Sequence, residues 1–137
     1  MNITTYCSAV SLGPPAPRYA IGLFVDTLTW DNFVIGNRGV LQVLTSKQAD
    51  VVPLLGKQSG RNVDKIRALR ELGHAVIEWE GHAILRDCAA AMLVESAGNL
   101  LSCGDHDLAV CDVRAVYGES VGGDFLYTGP LRDAGVI

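Results

Sequence analysis

The chain has 137 residues, of which 49% are hydrophobic and 19% are charged, and its formal net charge is −4. This composition predicts one domain with its own core and excludes a disordered chain. The net negative charge disfavours general electrostatic binding to nucleic acid or to an anionic membrane. No apolar run reaches the roughly 18 residues of a membrane span, and the first residues do not resemble a signal peptide. We therefore expect a cytoplasmic protein whose four cysteines are reduced thiols.

The first third of the chain is predicted to be mainly β. Strands are expected over residues 3–11, 18–25 and 39–45, because these segments are rich in β-branched residues or alternate apolar and polar side chains. Residues 26–33 read as a polar loop with a helical turn. Gly13-Pro14-Pro15 separates the first two strands.

Two short helices are expected in the middle of the chain. Ser46 is predicted to cap a helix within residues 47–55, which Pro53 either shortens or enters in its first turn. Asn62 or Ser59 is predicted to cap the second helix, which ends at Gly73. The positions expected to face inward on this helix are Val63, Ile66, Leu69 and Leu72.

The remaining sequence predicts four further strands, over residues 75–79, 83–94, 108–117 and 124–128. The 83–94 segment is apolar on both faces, which is typical of a barrel or of a subunit contact. Seven strands and one helical pair together predict a mainly β protein, a small closed β-barrel with helices covering one end.

The densest chemical signal is the segment 56–65, in which two glycines, a serine and three cations lie beside a predicted helix start. Helix N-termini present unpaired N–H groups, and glycine allows close backbone approach, so this segment predicts a phosphate cradle. An ordinary turn between helices is the alternative. The spacing of a Walker A loop is absent.

Two smaller clusters also carry polar chemistry. His106 lies between Asp105 and Asp107, which suits a general acid or base, an ion-pair partner, a metal ligand or a structural histidine. We expect no metal site, because the other histidines are poorly placed to join it. Hydroxyl groups crowd residues 4–8, where they either bind a polar ligand or lie on the surface.

Taken in order, these motifs resemble the flavin reductase-like family of FMN-binding split barrels, which includes flavoredoxins and the reductase partners of flavin-dependent monooxygenases. The most specific piece is Ser59–Lys65 (SGRNVDK), which is close to the family's SGrdvDK. Residues 2–7 resemble its N-x-M-T-x-S strand, with Cys7 where serine is usual, and residues 104–110 resemble its GDH motif. The resemblance covers residues 1–137 as a single domain that is short at its N-terminus relative to the family.

The resemblance implies a split β-barrel with two short helices that forms a homodimer and binds FMN, or FAD, at or near the dimer contact. It also implies hydride transfer from NADH or NADPH to the flavin, with a monooxygenase or another electron acceptor as partner. A non-enzymatic split barrel that binds flavin or haem is the alternative function. A dimer with a purely structural role is the third possible function.

The resemblance also implies roles for ten residues. His106 would lie near the nicotinamide or flavin ring as the catalytic position. The cofactor-binding residues would be Thr5, Cys7 and Ser8 along the flavin, Thr29 and Asn32 at its ribityl chain or phosphate, and Ser59, Gly60, Arg61 and Lys65 at the phosphate.

Overall fold

A computed structural model describes residues 1–4, 6–118 and 124–137 and shows a mainly β fold. In chain order its elements are β1 (Cys7–Ser11), β2 (Arg18–Phe24), α1 (Leu28–Gly36), β3 (Arg38–Val43), a 3-10 turn (Ser46–Gln48), α2 (Val51–Lys57), α3 (Lys65–Glu71), β4 (Val76–Trp79), β5 (His82–Leu85), β6 (Ala90–Ser96), β7 (Leu101–Cys103), β8 (His106–Tyr117) and α4 (Thr128–Asp133). The predicted mainly β class is confirmed. None of the helices in these described ranges is long and apolar enough to cross a membrane.

The chain divides into two compact units. The sheet unit comprises residues 2–41 and 92–116, and the helical unit comprises residues 1, 42–91 and 117–137. Strands β3, β6 and β8 have most of their residues in the sheet unit.

The sheet unit is built on an antiparallel sheet in the order β1-β2-β8-β6-β3, with β7 paired to β8. Strand β2 pairs with β8 from Arg18 opposite Asp112 to Phe24 opposite His106. Successive side chains of a strand point to opposite faces of the sheet, so every second side chain of β2 and of β8 lies on the face that is buried. The buried cluster on that face consists of Ile21, Leu23, Phe33, Val94, Ala109 and Cys111.

Helix α1 replaces most of the predicted polar loop, so that part of the prediction is wrong. The Thr27 side chain caps the helix by accepting a 3.2 Å hydrogen bond from the Trp30 backbone N–H. The helix ends at Asn37, a left-handed residue with φ 56° whose N–H donates to the Phe33 carbonyl oxygen. Two aromatic residues of α1 lie on the face of the helix that packs on the core. Phe33 belongs to the buried cluster, and Trp30 packs against that cluster.

A row of charges crosses three neighbouring strands of the sheet unit. Arg18 Nε lies 2.7 Å from Asp112 Oδ1, and Arg114 Nη2 lies 3.3 Å from Asp112 Oδ2. Arg114 Nε also lies 2.7 Å from Glu95 Oε2. Asp112 is nearly buried, and its two arginine partners compensate for the removal of its charge from water.

In the helical unit, the predicted first helix is divided into a 3-10 turn and α2. The turn begins after Thr45 rather than Ser46, because the Thr45 backbone N–H donates to the Gln48 side chain in a capping box. Helix α2 begins at Val51, so Pro53 lies in its first turn, which confirms one of the two alternatives. Its buried residues are Val51, Val52, Leu54 and Leu55.

The predicted cap of the second helix is wrong. Asp64 is the N-cap of α3, and its Oδ1 accepts a 3.0 Å hydrogen bond from the Arg67 N–H. Ser59 instead closes a turn, since its carbonyl oxygen accepts from the N–H groups of Asn62 and Val63. Leu69 is fully buried as predicted, whereas Leu72 is half exposed because the helix ends at residue 71.

The predicted strand over residues 83–94 is two strands. Strands β4 and β5 form a hairpin whose turn, Glu80-Gly81, has positive φ at both residues. Strand β5 stops at Leu85, whose carbonyl oxygen accepts from the Cys88 N–H in a turn around the polar Arg86-Asp87 pair. A polar pair at this point ends one strand before β6 begins.

The predicted final strand is also wrong. Only Phe125 forms a bridge there, opposite Thr45, and α4 follows it without having been predicted. Strand β1 covers only the second half of the predicted strand 3–11.

Candidate functional site

A cleft of about 250 Å³ opens in the sheet unit where β2 and β8 pair. Side chains or backbone of six residues line it: Tyr6, Gly22, Cys103, His106, Asp107 and Leu108. Its lining includes the aromatic rings of Tyr6 and His106, which suit contact with a flat ligand.

Gly22 forms the floor of this cleft. A Cβ on this residue would lie 3.4 Å from Tyr6 Cβ and 3.7 Å from His106 Cδ2, so a larger side chain would occupy the space between them. Its backbone is held on both sides, because its N–H donates to the Tyr6 carbonyl oxygen at 2.9 Å and its carbonyl oxygen accepts from Thr4 Oγ1 at 2.7 Å. The chain before β1 is thereby fixed beside β2.

His106, the predicted catalytic residue, lies at the start of β8 with its ring position fixed by two contacts. Its Nδ1 lies 2.8 Å from Asp105 Oδ1, and its ring meets Phe24 edge to face with centroids 4.9 Å apart. The hydrogen bond to His106 lowers the pKa of the Asp105 carboxyl. A histidine with one nitrogen held by a carboxylate has its other nitrogen, Nε2, to offer to a ligand.

Asp107 connects the start of β8 to helix α1. Its Oδ2 accepts a 2.7 Å hydrogen bond from Trp30 Nε1, and Trp30 packs against the buried cluster of the unit. Neither residue was predicted as part of the site. The sequence places Asp107 beside His106 and Trp30 in the predicted polar loop, but nothing in the spacing pairs residue 30 with residue 107.

Four of the predicted cofactor residues also belong to the sheet unit. Cys7 and Ser8 are exposed on β1, opposite Ile21 and Ala20 of β2. Thr29 is half-buried and Asn32 is exposed on α1. Thr5, predicted on the first strand, lies outside the described residues.

The remaining predicted cofactor residues, Ser59 to Lys65, lie in the helical unit. The turn is partly closed on itself, because Ser59 Oγ accepts from the Arg61 N–H and the Ser59 carbonyl accepts from the next two N–H groups. Ser59, Gly60 and Arg61 are exposed. The segment therefore offers exposed side chains to a ligand more than it offers backbone N–H groups.

Lys65 differs from its exposed neighbours, since only 6% of its surface is accessible. Its ammonium donates to the carbonyl oxygens of Leu55 at 2.7 Å and Met1 at 3.1 Å. Burial lowers the pKa of the Lys65 ammonium. An ammonium group has three N–H donors, so one remains beyond its two bonds to residues that the structure describes.

A second, more polar cleft of about 350 Å³ lies in the helical unit. It is lined by Thr45, Lys47, Gln48, His74, Asp87 and Asp124. His74 Nε2 lies 3.0 Å from both carboxylate oxygens of Asp50. Across the described ranges, no group of three or more His, Cys, Asp or Glu residues is arranged to hold a metal ion.

The model of the flavin reductase like domain matches residues 3–131. This match covers nearly the whole chain, and the chain belongs to the flavin reductase-like family. The resemblance of the sequence motifs to that family is confirmed. No curated protein sequence matches the chain.

Solved structures show the same fold. An FMN-binding protein from Thermus thermophilus with bound p-hydroxybenzaldehyde is 28% identical, with a TM-score of 0.72, over 85% of this chain and 62% of that one. Flavoredoxin from Methanosarcina acetivorans is 18% identical, with a TM-score of 0.71, over 85% of this chain and 59% of that one. NADH:FAD oxidoreductase from Streptomyces globisporus C-1027 is 17% identical, with a TM-score of 0.69, over 82% of this chain and 64% of that one.

These similarities confirm the predicted fold. Because the flavoredoxin and the NADH:FAD oxidoreductase are only 18% and 17% identical to this chain, these two similarities are evidence for the fold alone. This chain spans less than two thirds of the length of each of the three proteins.

Proposed function

We propose that this chain binds FMN, with FAD as the alternative flavin, and acts as an NAD(P)H-dependent flavin reductase. The observation that carries the proposal is the cleft over Gly22, with Tyr6 and His106 at its sides, in a chain of the flavin reductase-like family. The similar Thermus thermophilus protein is described as FMN-binding, which favours FMN over FAD.

The residues of the cleft fit a flat aromatic ring system. Gly22 leaves room for a ring to approach the backbone, and the edge-to-face contact with Phe24 keeps the His106 ring from turning into that room. When bound, the flavin supplies the two-electron redox chemistry, accepting a hydride from NADH or NADPH. His106 orients the rings by contact and by a hydrogen bond from or to its Nε2, while Cys7 and Ser8 flank the flavin along β1.

The phosphate of the flavin is proposed to contact Ser59, Gly60, Arg61 and Lys65, with Thr29 and Asn32 at the ribityl chain or phosphate. Arg61 is exposed, and a guanidinium pairs with phosphate through two parallel hydrogen bonds. Lys65 contributes its third N–H and a positive charge. Thr5 is proposed as a flavin contact on the sequence resemblance alone.

We further propose a cytoplasmic homodimer that passes electrons to a monooxygenase or another acceptor. Exposed apolar side chains along one sheet edge support the dimer. Strand β1 lies at one edge of the sheet, and all its residues are exposed. The exposed Tyr6, Val10 and Leu12 lie in or beside it.

Titration of the purified chain with FMN, followed by flavin fluorescence and the visible spectrum, tests the proposal. Arg61→Glu is expected to weaken FMN binding by roughly tenfold or more, because it replaces an attractive charge by a repulsive one. Arg70→Glu, the same charge change at another exposed position of the helical unit, should leave binding unchanged. No FMN binding by the unmodified chain at micromolar concentration would refute the proposal.

Oxidation of NADH and NADPH by the FMN-loaded chain then distinguishes a flavin reductase from a non-enzymatic flavin-binding protein. A flavin-dependent rate indicates a reductase. FMN binding without nucleotide oxidation indicates the non-enzymatic binding module.

A further inference from the structure

Cys103 and His106 face each other at the end of the hairpin that β7 and β8 form. They are paired in register across the two-residue turn Gly104-Asp105, in which Gly104 has φ 81°. The turn is held to the end of β2, because the Asp105 carbonyl oxygen accepts from the Val25 N–H at 3.1 Å. Directly opposed residues of an antiparallel pair point to the same face, with Cβ atoms about 5 Å apart. The thiol and the imidazole are therefore neighbours, and both residues line the cleft of the sheet unit.

Asp105 determines which nitrogen of His106 can accept a proton. Its Oδ1 lies 2.8 Å from His106 Nδ1, and an ionised carboxylate only accepts hydrogen bonds, so Nδ1 carries the proton of the neutral ring. The other nitrogen, Nε2, is then an acceptor. The edge-to-face contact with Phe24 restricts rotation of the ring. A thiol beside a base that a third group orients is the arrangement that activates a cysteine as a nucleophile.

The Cys103 thiol is open to small molecules. Two of the four cysteines are exposed, Cys7 and Cys103, and only Cys103 has a histidine opposite it, since Cys7 is paired with Ile21. Cys103 Sγ donates to the Leu101 carbonyl oxygen at 3.4 Å. Because S–H is a weak donor, little free energy is lost when this bond breaks and the proton leaves.

We propose that Cys103 is an oxidation site for hydrogen peroxide, with His106 as its proton carrier and Asp105 as the residue that positions the imidazole. The thiol proton passes to His106 Nε2, directly or through one water molecule, and the thiolate sulfur attacks one peroxide oxygen. The O–O bond breaks, and the leaving hydroxide takes the proton from the imidazolium to form water. The sulfur is oxidised by two electrons to a sulfenic acid, and the peroxide is reduced. The inference goes beyond the proposed function and does not depend on it, because neither flavin nor nucleotide takes part.

Limited oxidation of the full chain by hydrogen peroxide in the presence of dimedone tests this inference, because dimedone labels sulfenic acids and mass spectrometry of peptides locates the label. Cys103 should be labelled roughly tenfold or more faster than the equally accessible class of thiol at Cys7. Labelling of the buried Cys88 and Cys111 would report unfolding, and both should stay unlabelled. Equal or faster labelling of Cys7 in the unmodified chain overturns the inference, a result that needs no variant to fold.

Four variants then assign the rate to the proton carrier. His106→Gln should slow the labelling of Cys103 roughly tenfold and leave that of Cys7 unchanged. His82→Gln, the same substitution on β5, should change neither rate. Asp105→Ala should also slow Cys103, and Asp105→Asn should recover part of the rate, because its amide oxygen still accepts from Nδ1. The inference is equally overturned if Cys103 is labelled at the unmodified rate in His106→Gln or in Asp105→Ala.

Discussion

The Lys65 ammonium closes the end of helix α2 by donating a 2.7 Å hydrogen bond to the Leu55 carbonyl oxygen. Leu55 lies in the last turn of that helix, where carbonyl groups have no partner within the helix and carry a partial negative charge. A side chain of α3 thus completes α2. The same ammonium holds the Met1 carbonyl oxygen, so this buried charge joins three segments of the helical unit.

Lys65→Met is expected to destabilise the protein by about 1–3 kcal/mol, because it leaves a buried carbonyl oxygen without a donor. Urea unfolding monitored by circular dichroism measures the loss. Lys57→Met, which removes an exposed lysine at the end of α2, should change the free energy of unfolding by less than about 0.5 kcal/mol. Equal effects of the two substitutions would contradict a specific role for the Lys65 hydrogen bonds.

Gly22→Val is expected to abolish ligand binding in the cleft, since its branched side chain would fill the space between Tyr6 and His106. Gly22→Ala is the matched control. Its single Cβ makes ordinary van der Waals contacts at 3.4 and 3.7 Å, so binding should weaken only slightly. FMN fluorescence titration of both variants checks this, and full binding by Gly22→Val would locate the flavin elsewhere.

Stability should fall with rising pH between about pH 9 and pH 11 because of Cys111. Burial raises the pKa of the Cys111 thiol from 9.0 to about 11, and the neighbouring Asp112 charge acts in the same direction. In this interval the folded state retains a proton that the unfolded state has lost. The associated stabilisation is therefore complete below pH 9 and is lost as the pH passes 11, with a magnitude of roughly 2–3 kcal/mol.

Cys111→Ala should remove this pH dependence while lowering stability at neutral pH, because it also leaves a small cavity. Urea unfolding at pH 8 and pH 11 provides the comparison. Other ionisable groups titrate alike in both proteins, so the difference between their pH profiles isolates Cys111. Parallel profiles would contradict the assignment.

Val10→Glu and Leu12→Glu are expected to convert the proposed homodimer into a monomer. Both side chains are more than half exposed at the edge strand, and a carboxylate there would be buried without a partner in a dimer contact. Light scattering coupled to size-exclusion chromatography gives the mass. Leu72→Glu, an exposed leucine after α3, serves as the control. A dimer that survives both edge substitutions would show that its contact lies elsewhere.

Sequence patterns predicted the elements whose signal is local. The alternation of residues 18–25 gave β2, the alternation of residues 108–117 gave β8, and Pro53 marked the start of α2. The sequence patterns gave a wrong prediction where two or more nearby residues could play the same structural role. Asn62 and Ser59 are both good caps, but Asp64 lies directly before the first helical residue and takes that role.

The site was predicted less completely because its contacts join distant residues. The GDH motif drew attention to His106, yet the partners that shape the cleft around it, Tyr6 and Gly22, come from the other end of the chain. Lys65 was predicted from its motif as a phosphate ligand, and its burial depends on Leu55 and Met1, which no spacing rule connects to it. Pairings of this kind follow from the tertiary fold.

The charged row of Arg18, Asp112, Arg114 and Glu95 also has a consequence for misfolding. A slip of β8 by one residue would turn Asp112 toward the apolar face and carry Cys111 out to solvent. A misaligned sheet would thus bury an unpaired charge. The free-energy cost of that burial is much larger than the net stability that the intact charged row contributes to the native state. The row is therefore expected to disfavour incorrect alignments of β8 more than it stabilises the native sheet.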